Sequence, residues 1–126
     1  MDEHRPSAIN LRKKSKTLEL EYPGGEAFSL PCEYLRVYSP SAEVMGHGPG
    51  QEVLQSGKKH VAITDIKPVG HYALQLVFDD GHDTGLYSWD YLYALCVEQE
   101  AKWARYIERM AEAGEIRDPE VQVLKL

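Results

Sequence analysis

Five histidines, two cysteines and a carboxylate-rich turn are the groups in this chain whose chemistry is not fixed by packing alone. Imidazole is the usual ligand for borderline metals and the usual general base near neutral pH. His82 follows Asp79-Asp80-Gly81 and precedes Asp83, so carboxylates and an imidazole share one hairpin tip. Carboxylate oxygens suit hard cations and imidazole suits borderline ones, which gives the tip the donors for weak ion binding. Asp and Gly serve equally well to make a solvated turn. His47, between Gly46 and Gly48, has a permissive backbone that allows close approach to a ligand or metal, or simply a mobile loop. His60 and His71 fall at strand starts, where an edge-exposed imidazole is common, and His4 lies in an end expected to be disordered.

The familiar catalytic templates fail on spacing. A 2-oxoglutarate oxygenase needs a His-x-Asp/Glu pair and a distant His, and no histidine here has an acid two positions later. His82 and Asp83 are adjacent, which on a strand sends the two side chains to opposite faces. From Gly50 to Gly57-Lys58-Lys59 the spacing is wrong for a phosphate loop and the hydroxyl after the lysine is missing. Cys32 and Cys96 carry no local nucleophile signature and are too few for an all-cysteine iron–sulfur site. No catalytic residue and no cofactor is expected.

At 126 residues the chain fits one domain, spanning 1–126, with an ordered core from about residue 8 to 114 and a tail over 115–126. Its apolar content of 43% and charged content of 27% are those of a soluble globule, and no apolar run approaches the roughly 20 residues of a membrane span. The start Met1-Asp2-Glu3-His4-Arg5-Pro6 lacks a secretory pattern, so a cytoplasmic location with reduced thiols is expected and both cysteines read as small buried hydrophobes. A net charge of −6 disfavours nucleic acid and anionic membranes as partners. The one basic cluster, Arg12-Lys13-Lys14-Ser15-Lys16, reads as a solvated hairpin tip or as a contact for an acidic partner.

These groups must be positioned by an α+β domain. Ala8–Lys13 and Thr17–Tyr22 alternate as strands of a hairpin turning at Lys14-Ser15-Lys16. Pro23-Gly24-Gly25 breaks the second strand, and Ser29 is expected to cap a short helix with Pro31 in its first turn, ending near Arg36 and facing Leu30, Tyr34 and Leu35 inward. Ser39 to Lys59, rich in Gly and Pro, reads as a long functional or mobile loop. Val61–Ile66 and Tyr72–Phe78 read as strands joined through Pro68-Val69-Gly70, and Asp80-Gly81 turns into a short strand over Asp83–Tyr87. Ser88 is a good N-cap for one long or two shorter C-terminal helices, divided or kinked at Glu98-Gln99-Glu100 and stopped at Gly114. Trp89 and Trp103 read as core anchors, and Val121–Leu124 as a candidate sheet edge. The class is thus a small antiparallel β-sheet of hairpins, a short helix after the first hairpin, and helices at the C-terminal end.

Two segments carry a family likeness. Leu35-Arg36-Val37-Tyr38-Ser39-Pro40-Ser41-Ala42-Glu43-Val44 runs into Met45-Gly46-His47-Gly48-Pro49-Gly50-Gln51, and Phe78-Asp79-Asp80-Gly81-His82-Asp83-Thr84-Gly85-Leu86-Tyr87-Ser88-Trp89-Asp90-Tyr91-Leu92 follows at a set separation. Together they resemble the small N-terminal domain of gamma-butyrobetaine hydroxylase-like proteins, a domain that also occurs alone in bacteria; the likeness extends from about Ile9 to Gly114. It implies a module that, in oxygenase members, precedes the catalytic domain, binds a structural zinc and contributes to assembly. It further implies three cysteine ligands at the positions of Ser39, Ser41 and Val44 and a histidine at His82. Only His82 is retained here, and hydroxyls and a valine cannot complete a thiolate–imidazole site. Relatives fused to ATPases resembling iron–sulfur carriers suggest an accessory role in cofactor or cluster delivery.

The expectation is therefore a non-catalytic interaction module for an unidentified protein partner. Its surface comprises Arg36, Ser39, Ser41, Glu43, Gly46, His47, Gly48, Gly50, His82 and Asp83, with Ser39, Ser41, Glu43 and Arg36 hydrogen-bonding toward the His82 turn in place of a metal. The alternative is a metal- or small-ligand-binding protein using His47, His82 and nearby carboxylates. A homodimer through the acidic helical end, with Trp103 and Tyr106 partly exposed, is a further reading.

Overall fold

The computed structural model describes residues 4–122 and residue 124. Alternating apolar residues draw the N-terminal part into an antiparallel sheet of β1 (Ala8–Arg12), β2 (Thr17–Glu21) and β3 (Ala27–Pro31), in that order. Leu18 lies between Leu11 and Leu30, and Leu20 between Ile9 and Phe28. These pairs fix the register, because a slip of one residue would turn two fully buried leucines to solvent. The basic tip is tied down at one point, where Lys16 Nζ donates to the His60 carbonyl at 2.9 Å.

Ser29 does not cap a helix. It lies in β3 opposite Glu19, and α1 (Cys32–Val37) begins only after Pro31, with the Cys32 amide donating to the Lys16 carbonyl at 2.9 Å. Phe28 and Leu30 repeat with the period of a strand, and β2 offered them an open edge, so pairing won over a short helix. Tyr34 and Leu35 face the core as the sequence suggests.

The stretch from Ser39 to Lys59 is mostly irregular but contains α2 (Ala42–Met45), and it closes on itself where Val53 N donates to the Val44 carbonyl at 2.8 Å. Gly46 makes this return possible: its φ is 72°, and a β-carbon there would run into the Gln51 carbonyl.

A second antiparallel sheet has β4 (Ile63–Val69), β5 (Ala73–Phe78) and β6 (Leu86–Ser88) in that order. β4 continues through Pro68 and Val69, which pair with Leu74 and Ala73, so the connection is shorter than expected. An edge strand tolerates a proline that cannot donate. β6 starts at Leu86 rather than Asp83, leaving Asp79–Gly85 as a looped segment. The Ser88 hydroxyl accepts from Tyr91 N at 3.2 Å and caps α3 (Trp89–Val97); Glu98, at φ −103° and ψ 13°, divides it from α4 (Gln99–Ala113). Gly114 takes the left-handed conformation and stops α4.

Both sheets, α1 and α3 share one apolar core built around Leu18, Leu20, Leu30, Leu35, Leu76, Phe78, Leu92 and Leu95. A smaller cluster of Val37, Tyr106 and Met110 lies under α4. Cys32 and Cys96 are free and buried, and burial pushes the Cys96 thiol up to about 11. Tyr106 is only 3% exposed, so it is unavailable as the dimer anchor the sequence suggested. His4 is not loose: it stacks on Tyr93 at 4.2 Å and bonds Asp90 at 2.9 Å. Beyond Gly114 the chain returns to the body, with Gly57 N and Lys59 N donating to the carbonyls of Ile116 and Arg117, and Arg117 forking onto the buried Glu33 carboxylate at 2.8 and 2.7 Å. Of the run expected at a sheet edge, Val121, Gln122 and Leu124 lie in no strand, and Val123 is outside the described residues, as are Met1–Glu3. Among the described residues no helix is long and apolar enough to cross a membrane.

Candidate functional site

The corner where α1 gives way to α2 is closed by the segment between β5 and β6. After Tyr38 the chain turns through Ser39-Pro40-Ser41, and the Asp79–Gly85 segment brings His82 against it. His82 Nε2 stands 2.8 Å from Ser39 Oγ and 3.3 Å from Ser41 Oγ, while the Ser41 amide donates to Ser39 Oγ at 3.3 Å. Ser39 is fully buried and Ser41 is 5% exposed, so these bonds satisfy hydroxyls that would otherwise carry a desolvation cost of about 1–3 kcal/mol each. Gly85 allows the approach: a β-carbon there would collide with Ser39 Oγ. Two residues on, the fully buried Tyr87 donates its hydroxyl to the Leu35 carbonyl at 2.6 Å, binding β6 to α1.

A charged pair reinforces the same join. Arg36 Nε donates to Asp80 Oδ2 at 2.8 Å and its Nη1 to Gln55 Oε1 at 3.1 Å, while Lys58 Nζ reaches the same Asp80 oxygen at 2.6 Å. Asp80 Oδ1 accepts from the His82 amide at 3.1 Å, which shapes the turn. Burial by itself would raise the Asp80 carboxyl, but the hydrogen bonds from Lys58, the His82 amide and Arg36 outweigh it and hold the carboxyl down at about 2. Burial, and then the neighbouring Arg36 cation, push the His82 imidazole below its ordinary range. Both effects favour the uncharged ring. On the rim, the exposed Glu43 accepts from the Thr84 hydroxyl at 2.8 Å, and this bond holds its carboxyl below the usual range.

The structure thus brings Arg36, Ser39, Ser41, Glu43 and His82 together, but not all as surface groups. Arg36, at 7% exposure, Ser39 and Ser41 are inside and serve as supports rather than partner contacts, because their polar atoms are spent within the corner. Glu43 and Asp83 remain exposed, Asp83 giving its carbonyl to Gln75 Nε2 at 2.8 Å. His47 and the glycines Gly46, Gly48 and Gly50 line a separate open depression with Met45, Pro49 and Glu52, to which His82 does not contribute. Gln55, Lys58 and Gly85 were not singled out by sequence reasoning, and Asp80 was read as a turn and tip carboxylate, not as the partner of Arg36. A glycine inside a strand-like run was the available signal for Gly85, since it often marks a close backbone approach.

The corner does not fit a thiolate–imidazole zinc. Of the four implied positions, two are hydroxyls already bonded to the imidazole, and the third is Val44, an aliphatic residue 4% exposed. Elsewhere His60, Asp118 and Glu120 place one ligand atom each within 4.8 Å of one another among the described residues, with His60 and Glu120 exposed. Between the loop and α4 lies a cleft of about 250 Å³ lined in part by Val44, Val53, Tyr91, Arg105, Tyr106 and Arg109.

Known proteins place this architecture. Two solution structures determined by NMR are similar to it: one is 54% identical over 98% of this chain and 97% of the other, with a TM-score of 0.84, and the second is 47% identical over 100% and 96%, with a TM-score of 0.78. A crystal structure of a protein of unknown function of the DUF971 family from Acidithiobacillus ferrooxidans is 36% identical over 75% of this chain and 96% of that one, with a TM-score of 0.62. No curated protein matches the chain. Residues 9–93, which span both sheets and the whole His82 corner, match the family model for gamma-butyrobetaine hydroxylase-like N-terminal domains. The chain therefore belongs to the gamma-butyrobetaine hydroxylase-like, N-terminal family.

Proposed function

We propose that this protein is a non-catalytic accessory module that presents one face to a partner protein, the face formed by the loop after α1 and the turn between β5 and β6. The observation that carries this reading is the Ser39–His82 bond at 2.8 Å, which joins the two segments where the resemblance implied a metal. The same spacing would suit a nucleophile and its base. Ser39 is nevertheless fully buried, so no substrate carbonyl has a path to its oxygen, and among the described residues no carboxylate hydrogen-bonds the other ring nitrogen of His82. The bond is a clip, and its product is a fixed outer face. That face offers Glu43, Asp83 and Leu86, the last 44% exposed on an edge strand, while the Gly46–Gly50 tip of the same loop adds its own separate depression. A role beside cofactor or iron–sulfur assembly follows by analogy with the fused relatives.

Affinity capture from the native lysate, quantified by mass spectrometry, tests the reading. A Glu43→Lys/Leu86→Asp variant, altered only at exposed positions, is expected to lose at least one protein that the wild type enriches. Identical protein sets from a folded variant would overturn it. Sedimentation at several concentrations separates a foreign partner from a second copy of this chain.

A further inference from the structure

The cleft beside α2 has a charge opposite to that of the molecule. The chain carries a net −6, yet the cleft is lined by Lys102, Arg105 and Arg109 against a single carboxylate, Glu52. The three cations sit at spacings of three and four along α4 and so share one helix face. Glu52 is already engaged, its Oε2 accepting from the Gly50 amide at 2.6 Å. Lys102 Nζ lies 5.2 Å from the Tyr38 ring and 4.0 Å from Glu98 Oε1, a loose pair, and among the described residues neither Arg105 nor Arg109 has a carboxylate oxygen within 4.0 Å. The two arginines also act at a distance, opposing the rise that burial imposes on the Tyr38 hydroxyl.

Below this rim the floor is apolar and its hydroxyls are spent. Tyr38 donates to the Lys102 carbonyl, Tyr91 to the Tyr38 carbonyl and Tyr106 to the Gln55 carbonyl, each at 2.6 Å. At the cleft mouth the lining residues Met45 and Val53 are 41% and 53% exposed, which carries the apolar lining out to the open surface.

We infer that this cleft is the docking groove for an acidic segment of the partner, which seats one apolar side chain between Val44, Val53 and Tyr106 and places flanking carboxylates on Arg105 and Arg109. The inference rests on the interaction reading above and names the partner's chemistry. A volume of about 250 Å³ accepts one large apolar side chain and no folded element. Charge complementarity supplies the choice between an acidic and a basic partner.

The test uses fluorescein-labelled short peptides of aspartate and glutamate, with or without one central phenylalanine, and the full-length protein. The phenylalanine-bearing acidic peptide should bind saturably, at least tenfold more weakly to Arg105→Glu/Arg109→Glu and within threefold of wild type to Arg105→Lys/Arg109→Lys. The Lys13→Glu/Lys14→Glu variant, which makes the same change in net charge at the exposed β1–β2 tip, should bind within twofold of wild type. Absence of binding, equal binding of the peptide lacking phenylalanine, or equal loss in the tip variant would overturn the assignment. Full displacement by phenylacetate at matched concentration would overturn it too, in favour of a small-molecule site. Because Glu43 and Leu86 lie outside the cleft lining, a lysate capture that fails in their variant while peptide binding is unaffected counts for the wider face and leaves the peptide result as the judge of the groove.

Discussion

Replacing Asp80 by asparagine keeps the size of the side chain and removes the charge on which the α1-to-turn join depends. Arg36, whose side chain is 8% exposed, would keep Gln55 and at most a neutral amide oxygen as acceptors, and Lys58 would lose its countercharge. Removing one member of a buried ion pair costs about 3–5 kcal/mol. Part of that cost can be obtained separately: a carboxyl held at about 2 from an ordinary 3.8 corresponds to about 2 kcal/mol at roughly 1.4 kcal/mol per unit. The remainder is the stranded guanidinium, so a total of about 3 kcal/mol is expected, or roughly 10 °C in melting temperature for a chain of this length. The sign with pH follows from the depressed carboxyl. The unfolded chain binds the proton first as pH falls, so the contribution is complete well above 3.8 and is lost as pH drops through that value toward about 2. Urea unfolding of wild type and Asp80→Asn from neutral pH downward should give a stability difference that is flat above about pH 5 and shrinks below about pH 4. A difference under about 1 kcal/mol at neutral pH, or one unchanged in acid, would refute the ion-pair account.

Gly85→Ala forces a β-carbon into Ser39 Oγ; a loss of about 1–3 kcal/mol in urea unfolding is expected, with broadening of the His82 ring resonances, and a neutral result would show that the close approach is not required. Arg117→Ala leaves the Glu33 carboxylate, 7% exposed, without its forked partner; a loss of about 2 kcal/mol, reduced from the fully buried case because Arg117 is 36% exposed, should come with faster proteolysis beyond Gly114. Tyr87→Phe removes the hydroxyl bonded to Leu35 and should cost about 1–2 kcal/mol by chemical denaturation without changing the far-ultraviolet spectrum.

The sheets were legible because their apolar alternation is clean: Leu18 and Leu20 in β2, and Leu74, Leu76 and Phe78 in β5, read as buried faces and are. Ser88 and Gly114 were legible as helix boundaries because each does a local job that its own chemistry dictates. β3 was not, because Ser29 and Pro31 are good helix-start residues in isolation, and only the free edge of β2 decided for a strand. The proximity of His82 to the serine turn entered through family likeness, not through spacing. The burial of Arg36 was hidden for the same reason: its partner Asp80 is distant in sequence and reads locally as a turn residue. The basic lining on α4 was also hidden, since Lys102, Arg105 and Arg109 look like an ordinary solvated face until Val44 and Val53 are packed beside them.

The central claim is that hydrogen bonds, not a metal, hold the Ser39 turn to His82. Metal analysis of untagged protein purified without chelators, read beside the same analysis of His82→Ala, tests it most directly. The account predicts far less than one equivalent of zinc or iron in both proteins. Stoichiometric metal in the wild type that disappears with the imidazole would contradict it.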